Sequence, residues 1–223
     1  MKKISLSNAQ HYKNLWQPVS NLTSFQIEEV AHIETFEKGQ HIIRHDEGTE
    51  TLFILLQGKA KIYLLHEDGK QLIVHFVQKG ELIGELSLLG VEERTKDVVA
   101  QIDRICLAIP LADNKERLLT DINFLQQLNV YLAEKMLNRT ERFGQGLNYP
   151  LLNRLAAFIL YTENEGLYHE KHTEVAEYLS SSYRHLLHTF EQLREKNIII
   201  KEKRGYRIID RTELERLAGE IKS

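Results

Sequence analysis

In the first half of the chain the apolar residues come in short bursts. Gln40–Arg44, Thr51–Gln57, Ala60–His66, Gln71–Val77, Asp97–Gln101 and Arg104–Ile109 are rich in Ile, Leu, Val, Phe and Tyr. Glycines at 39, 48, 58, 69 and 80 punctuate them nine to eleven residues apart. Short strands set off by glycine turns predict an antiparallel sandwich or barrel of the jelly-roll type, a β-roll. Asp68-Gly69 has the composition of a two-residue hairpin turn. Ahead of the roll, Phe25, Ile27, Val30, Ala31 and Ile33 have the spacing of a short amphipathic helix packed against it.

Beyond Pro110 the period changes. Leu118, Ile122, Leu125, Leu128, Leu132 and Met136 recur at steps of three or four, and Arg139 and Phe143 continue the stripe. With no Gly or Pro in residues 111–143, the pattern predicts one long helix. The part holding Leu125, Leu128, Leu132 and Met136 would form a coiled-coil-like dimer seam. A helix packed on its own barrel would explain the first turns equally well. Gly144, Gly146 and Pro150 mark a hinge.

The remainder reads as a compact helical unit. Leu151, Leu152, Leu155, Phe158 and Ile159 form one amphipathic face. Thr173–Leu179 forms a second helix, with Val175 and Leu179 inward and the small Ala176 where another helix can cross. Ser180-Ser181-Ser182 supplies a turn and an N-cap. A third helix starts at Tyr183 and buries Leu186, Phe190 and Leu193. Two short helices joined by a tight turn make a helix-turn-helix. Ile198–Lys201 and Tyr206–Ile209, flanking Glu202-Lys203-Arg204-Gly205, read as a β-hairpin wing. The class is therefore α+β: an N-terminal unit of helices and β-roll over residues 1–110, a dimerisation helix over 111–144 and a winged helix-turn-helix over 145–223.

Composition adds limits. A chain of 223 residues, 42% hydrophobic and 27% charged, matches an ordinary globular protein of one large or two smaller domains. The longest clean aliphatic and aromatic run, Leu52–Leu56, is far too short to span a membrane, and the polar N-terminus lacks a secretory apolar core. The single cysteine, Cys106, cannot form an internal disulfide, which points to a reducing cytoplasm. A net charge of −3 gives no sign of nucleic-acid binding. Between Ser182 and Arg211, however, eight Lys and Arg face four Asp and Glu, a local +4 that leaves −7 for the rest. A solvated charged face would explain any single run. Basic residues on both the third helix and its wing point to DNA.

At this stage the sequence resembles the CRP/FNR superfamily of transcription regulators along nearly its whole length. Tyr149-Pro150-Leu151-Leu152-Asn153-Arg154-Leu155-Ala156-Ala157-Phe158-Ile159-Leu160 is similar to the YeiL-type branch. So are Leu167-Tyr168-His169-Glu170-Lys171-His172-Thr173, Ala176-Glu177-Tyr178-Leu179 and Ser182-Tyr183-Arg184-His185-Leu186-Leu187. The resemblance implies a cyclic-nucleotide-binding-like roll, a homodimer, a palindromic operator in double-stranded DNA and RNA polymerase as a partner. An enzyme on a jelly-roll scaffold would require convergent titratable residues, and the sequence offers none, so no enzymatic activity is expected. The resemblance places Ser182, Tyr183, Arg184 and His188 at the groove-facing start of the recognition helix. Arg184 can give two donors to guanine; Tyr183 can meet a phosphate or a thymine methyl, and Ser182 a phosphate. Lys201, Lys203 and Arg204 would touch phosphates. Ser180 departs from the pattern, since many such turns have glycine there.

In the roll of that family a Gly-Glu pair is followed, after a short loop, by Arg-Ser or Arg-Thr. Here Gly84-Glu85-Leu86 precedes Arg94-Thr95. The resemblance implies that Glu85 would bond a ribose hydroxyl while Arg94 and Thr95 hold a cyclic phosphate, sound chemistry for a guanidinium beside a hydroxyl. Against this, Lys96 replaces a small apolar residue and the loop is slightly short. Arg139 and Thr140 stand where the cyclic-AMP receptor reads adenine, and the bulk of Arg139 suggests a different effector or none. A cyclic nucleotide, another anionic small molecule, an effector-independent regulator and a winged-helix protein-interaction module all remain open. An Arg94–Glu85 ion pair holding the loop is as good a reading as ligand binding.

Other chemistries are weaker. His169-Glu170-Lys171-His172 lacks the His-Glu-x-x-His zinc spacing and reads as a solvated lead into the helix-turn-helix. His41 and His45 read as surface strand residues, and Cys106 as core. His75 alone is thin support for a haem ligand. The cysteine cluster of the oxygen-sensing relatives is absent, so no iron–sulfur cluster is expected.

Overall fold

Glycine turns fold the apolar bursts of the first half of the chain into two antiparallel sheets. The computed structural model describes residues 2–45, 47–65, 71–92, 94–219 and 221. The strands are β1 (Lys2–Ser5), β2 (His32–Phe36), β3 (His41–Ile43), β4 (Thr51–Gln57), β5 (Ala60–Leu65), β6 (Gln71–Val77), β7 (Leu82–Ile83), β8 (Asp97–Ala100) and β9 (Arg104–Pro110). They are arranged β1-β2-β9-β4-β7 in one sheet and β3-β8-β5-β6 in the other. Between the sheets lies a dry core that includes Phe53, Leu55, Val77, Val98, Cys106 and Ala108. Burial pushes the Cys106 thiol up to about 12, so it is an inert core residue. The β5–β6 register sets Leu65 opposite Gln71; the Asp68-Gly69 turn expected there lies outside the described residues.

One expected element is replaced. Residues 25–33 are not an amphipathic helix: a single 3-10 turn covers Ile27–Glu29, and Ile33 belongs to β2, opposite Leu107 of β9. Strand β2 escapes a hydrophobicity reading because it buries a carboxylate. Glu34 is almost fully buried, and it is compensated by Lys3 Nζ at 3.1 Å and His32 Nε2 at 2.8 Å. A buried charge with two partners is tolerated where an unpaired one would not be.

The long helix is also broken. Helices α1 (Lys13–Trp16) and α2 (Glu85–Leu89) precede α3 (Leu111–Thr120) and α4 (Ile122–Asn148). Asp121 between the last two is extended, at φ −80° and ψ 111°. No Gly or Pro was needed, because the Asp121 carboxylate makes its own break. One oxygen accepts the Phe124 amide at 2.9 Å, capping α4. The other accepts the Ser24 amide at 2.8 Å and the Ser24 hydroxyl at 2.5 Å. Gly144 and Gly146, expected at the hinge, lie inside α4; the interruption falls at Tyr149-Pro150.

The chain divides into two units, Met1–Tyr131 and Leu132–Ser223. Within the first, Leu118, Phe124 and Leu128 are buried, and Tyr131 donates its hydroxyl to the Leu82 carbonyl at 3.2 Å. Of the residues expected at the dimer seam, Leu128 is thus buried within its own chain. Leu125 and Leu132 are half-buried. The apolar residues left outward on α4 include Ile122 (74% exposed), Met136 (65%) and Leu137 (61%). The Phe143 side chain lies outside the described set.

The second unit contains α5 (Leu151–Thr162), β10 (Leu167–Tyr168), α6 (His172–Tyr178), α7 (Tyr183–Glu195), β11 (Ile199–Glu202), β12 (Gly205–Ile208) and α8 (Arg211–Ala218). Strand β10 joins the wing in a three-stranded sheet, β10-β12-β11. This third strand and α8 had no counterpart in the sequence reading. Gly205 makes the sheet possible. Its φ is +134°, and a Cβ there would lie 1.9 Å from the Tyr168 carbonyl oxygen.

Desolvation raises the pKa of the Asp121 carboxyl, but the Ser24 hydroxyl and the amides of Phe124, Ser24 and Asn123 outweigh it and hold the carboxyl below its ordinary range. A depressed folded pKa stabilises the fold above the ordinary carboxylate range, and that contribution is lost as pH falls through the depressed value. Asp121→Ala is expected to cost about 0.5–2 kcal/mol at neutral pH, the usual loss for an N-cap. Urea unfolding at neutral and acidic pH should show the difference shrinking on acidification.

Candidate nucleic-acid interface

The recognition helix is positioned by its turn. Val175, Ala176 and Leu179 of the α6 segment are buried, as are Leu186, Phe190 and Leu193 of α7. Between the two helices Ser181 N donates to Ala176 O at 2.8 Å, and Ser180 takes a left-handed φ of +49°. This is the position where glycine was missing from the motif. Ser182 is the N-cap of α7, its hydroxyl oxygen accepting the His185 amide at 3.2 Å.

With one face of α7 buried, the opposite face carries Arg184, Leu187, His188 and Glu191, and all four are exposed. Arg184 and His188 stand one turn apart, as expected. The His188 ring lies 3.3 Å from the Gln192 amide nitrogen, and Glu191 accepts from Arg194 at 2.6 Å. Tyr183 is 49% exposed at the start of the helix.

Ion pairing sorts the local basic charge. Arg194 pairs with Glu191, Arg207 with Glu202 and Arg211 with Glu163. The Arg207–Glu202 pair, at 2.5 Å, spans the two strands of the wing. Among the described residues no carboxylate pairs with Arg184, Lys196, Lys201, Lys203 or Arg204, and all five are exposed. Four of these five cations lie on the outward start of α7 and on the wing, and Lys196 lies at the far end of α7. A groove of about 700 Å³ runs between that start and the wing, bounded by the approach to α6, Tyr183, Leu187 and the wing from Lys201 to Tyr206.

Beneath the groove is an aromatic stack that sequence reading missed. His172, expected to be solvated, is half-buried, with its ring centroid 4.3 Å from that of Phe190 and 5.6 Å from that of Tyr206. Phe190 and Tyr206 lie 4.8 Å apart, and Tyr168 is 5.5 Å from Phe190. Burial, and then the charge of Lys201, lowers the His172 pKa, so the ring is neutral at physiological pH. The four-residue step from Tyr168 to His172 was the available signal, but it crosses from a strand into a helix and fits no single period.

The effector residues divide differently. Gly84 (φ +92°) turns the chain into α2, and a Cβ there would come within 2.9 Å of the Thr51 carbonyl oxygen. Glu85 is buried, Leu86 half-buried and Arg94 exposed. Thr95 is buried, and its hydroxyl donates to the Arg44 carbonyl at 2.9 Å. Lys96 pairs with Glu92. Arg139 and Thr140 are exposed on α4, and the Thr140 hydroxyl donates back to Met136 O at 3.0 Å. His41, on β3, and His45, outside the strands, are each partly exposed. They are half-buried on Asp97 and Thr95, His41 Nε2 lying 3.4 Å from Asp97 and His45 Nδ1 2.8 Å from Thr95 O. His75 is buried against the Glu81 carboxylate at 2.9 Å.

Comparison with known proteins agrees with both units. Residues 33–121 match the cyclic nucleotide-binding domain family, and residues 153–217 the Crp-like helix-turn-helix domain family. The regulatory protein YeiL of Escherichia coli O157:H7 is 38% identical over 181 residues, 81% of this chain and 83% of that one. A putative crp/fnr-family transcriptional regulator from Eubacterium rectale superposes with a TM-score of 0.74 at 17% identity, covering 94% of this chain and 99% of that one. A CRP-family transcriptional regulator from Thermus thermophilus gives 0.66 at 20% identity, covering 83% and 96%. The chain belongs to the CRP/FNR superfamily of DNA-binding transcription regulators. Within that superfamily it is similar to the YeiL regulator, and the family is one of regulators, not enzymes. No helix among the described residues is long and apolar enough to cross a membrane.

The left-handed backbone at Ser180 costs about 1–2 kcal/mol for a residue with a Cβ. Ser180→Gly is expected to recover part of this, raising the thermal midpoint of the full chain without weakening DNA binding. Calorimetry and a gel-shift titration check both halves.

Proposed function

We propose that α7 reads bases and the wing anchors phosphates, so that the protein represses or activates transcription from an imperfect palindrome. What supports this reading is the segregation of charge: of the five cations between Ser182 and Arg211 outside the ion pairs of Arg194, Arg207 and Arg211, four (Arg184, Lys201, Lys203 and Arg204) lie on the start of α7 and the wing, and the fifth is Lys196. A duplex carries closely spaced phosphates, and binding it releases counterions in proportion to the cations engaged. Ser182, whose hydroxyl oxygen is occupied as an acceptor, keeps its proton to donate to a phosphate. Arg184 offers a bidentate contact to guanine, and His188 reaches the next base step.

The reading includes a homodimer. The partly exposed Leu125 and Leu132 and the exposed Met136 leave α4 an apolar stripe at heptad spacing, as a dimer seam requires. Two recognition helices would then enter successive major grooves, about 34 Å apart. The division into a sensor over 1–110, a dimer region over 111–144 and a DNA-binding domain over 145–223 belongs to this proposal. So do a cytoplasmic location and RNA polymerase as a partner.

The roll would hold the control site, with Gly84, Glu85, Leu86, Arg94 and Thr95 on its loop and Arg139 and Thr140 on α4 as the candidate effector contacts. A cyclic phosphate would have to compete with the Arg44 carbonyl for the Thr95 hydroxyl. That observation favours the second reading, a regulator that needs no cyclic nucleotide.

Arg184→Ala is expected to weaken binding by about 1–3 kcal/mol and to relax preference at one base pair per half-site. Lys203→Ala should weaken all sequences alike and reduce the salt slope by about one unit per wing. Affinity measured on a library of half-site variants at two salt concentrations separates the two effects. An unchanged sequence preference in Arg184→Ala would overturn the assignment of α7.

A further inference from the structure

One guanidinium holds the ends of two helices. Arg154, in the first turn of α5, is half-buried. Its Nε donates to the Tyr149 carbonyl at 3.1 Å and its Nη1 to the Leu179 carbonyl at 2.5 Å. Tyr149 follows directly on the end of α4, and Leu179 is the C-cap of α6. Both carbonyls stand at the negative end of a helix, where a cation is favoured. The Ser180 and Ser181 amides go to the Glu177 and Ala176 carbonyls, so the turn itself does not cover the Leu179 oxygen. Burial lowers the Arg154 pKa, yet a guanidinium stays charged. Among the described residues no carboxylate pairs with it, and main-chain carbonyls meet the cost of taking the charge out of water.

An arginine in solvent would serve α5 as well if only folding were at stake. Leu151, Leu155, Phe158 and Ile159 already bury its apolar face, and Asn153 ties it to α8 through the Leu217 carbonyl at 2.8 Å. What the guanidinium adds is a bridge from the Tyr149-Pro150 interruption to the turn that launches α7. All of these residues lie within the unit Leu132–Ser223. A planar fork with donors on two carbonyls fixes direction as well as distance, so the chain cannot swivel at the interruption without breaking one of the bonds. Under the reading proposed above, on which this inference rests, α4 joins two subunits and α7 enters the major groove. The joint between α4 and α5 then decides how far apart the two recognition helices stand. We infer that Arg154 is a positioning residue that locks this joint to the helix-turn-helix and so restricts the dimer to one spacing of half-sites.

The experiment uses the full-length protein and a palindromic duplex that it selects from a randomised library. Versions of that duplex carry a spacer one or two base pairs longer or shorter, and a further duplex carries a single half-site. Affinity is followed by fluorescence anisotropy. Each added base pair moves the second half-site about 3.4 Å along the duplex and about 35° around it. Following it would break one charged hydrogen bond, so wild type should lose about 10-fold or more in affinity per step. Arg154→Met keeps the length of the side chain without its donors, and its loss per step should fall to about 3-fold or less, with single half-site affinity unchanged. Arg154→Lys, which keeps the charge but reaches one carbonyl at a time, should relax the penalty as well, and it decides the matter if the methionine variant does not fold. A purely structural role would weaken the single half-site and every spacing by one factor and leave the penalty intact. The inference is overturned if the folded variants keep the full spacing penalty, or if their loss of affinity is already complete on a single half-site. If wild type binds every spacing alike, the dimeric reading falls first and this inference falls with it.

Discussion

The contact between Phe190 and Tyr206, with His172 stacked on both, fixes how the wing stands beside the recognition helix. Phe190 comes from α7 and Tyr206 from β12, so a few aromatic rings tie together the two elements that carry the uncompensated cations. Aromatic faces offset at these distances contribute beyond simple burial. Neutral His172 suits the position, because an imidazolium would stand against Lys201. Strand β10 completes the support. Tyr168 packs under Phe190, and its carbonyl approaches Gly205 so closely that no side chain fits there.

Much of this was legible in the sequence. Leu186, Phe190 and Leu193 mark one face of α7, and Ile199 and Tyr206 mark a wing whose tip is charged. The roll strands were equally plain where apolar residues cluster between glycines. What escaped reading shares a physical cause: local polar chemistry overrides the hydrophobic period. Glu34 can be buried in β2 because Lys3 pairs with it and the His32 ring lies within hydrogen-bond distance. Asp121 breaks a helix that no glycine or proline interrupts, because its carboxylate caps α4 and binds Ser24. Leu128 repeats in step with Met136, yet it is buried within its own chain while Met136 is exposed.

The site was legible in part. Net charge could locate a basic region but could not say which cations are free. Arg194, Arg207 and Arg211 count equally with Arg184 and Lys203 in the sequence, yet the fold gives each of the first three a carboxylate. The roll shows the opposite outcome. Gly84-Glu85 and Arg94-Thr95 match a phosphate-binding pattern as text, whereas the Thr95 hydroxyl is engaged with the Arg44 carbonyl and Lys96 is drawn to Glu92. A motif lists donors, and only the fold says whether they are already used.

The central claim, that α7 and the wing of two subunits grip one face of a duplex, is tested most directly by hydroxyl-radical footprinting. The full-length protein would be bound to a duplex that it selects. The account predicts two protected patches per strand related by a two-fold axis, with centres about one helical turn apart. A single patch, or continuous protection without a two-fold axis, would contradict it.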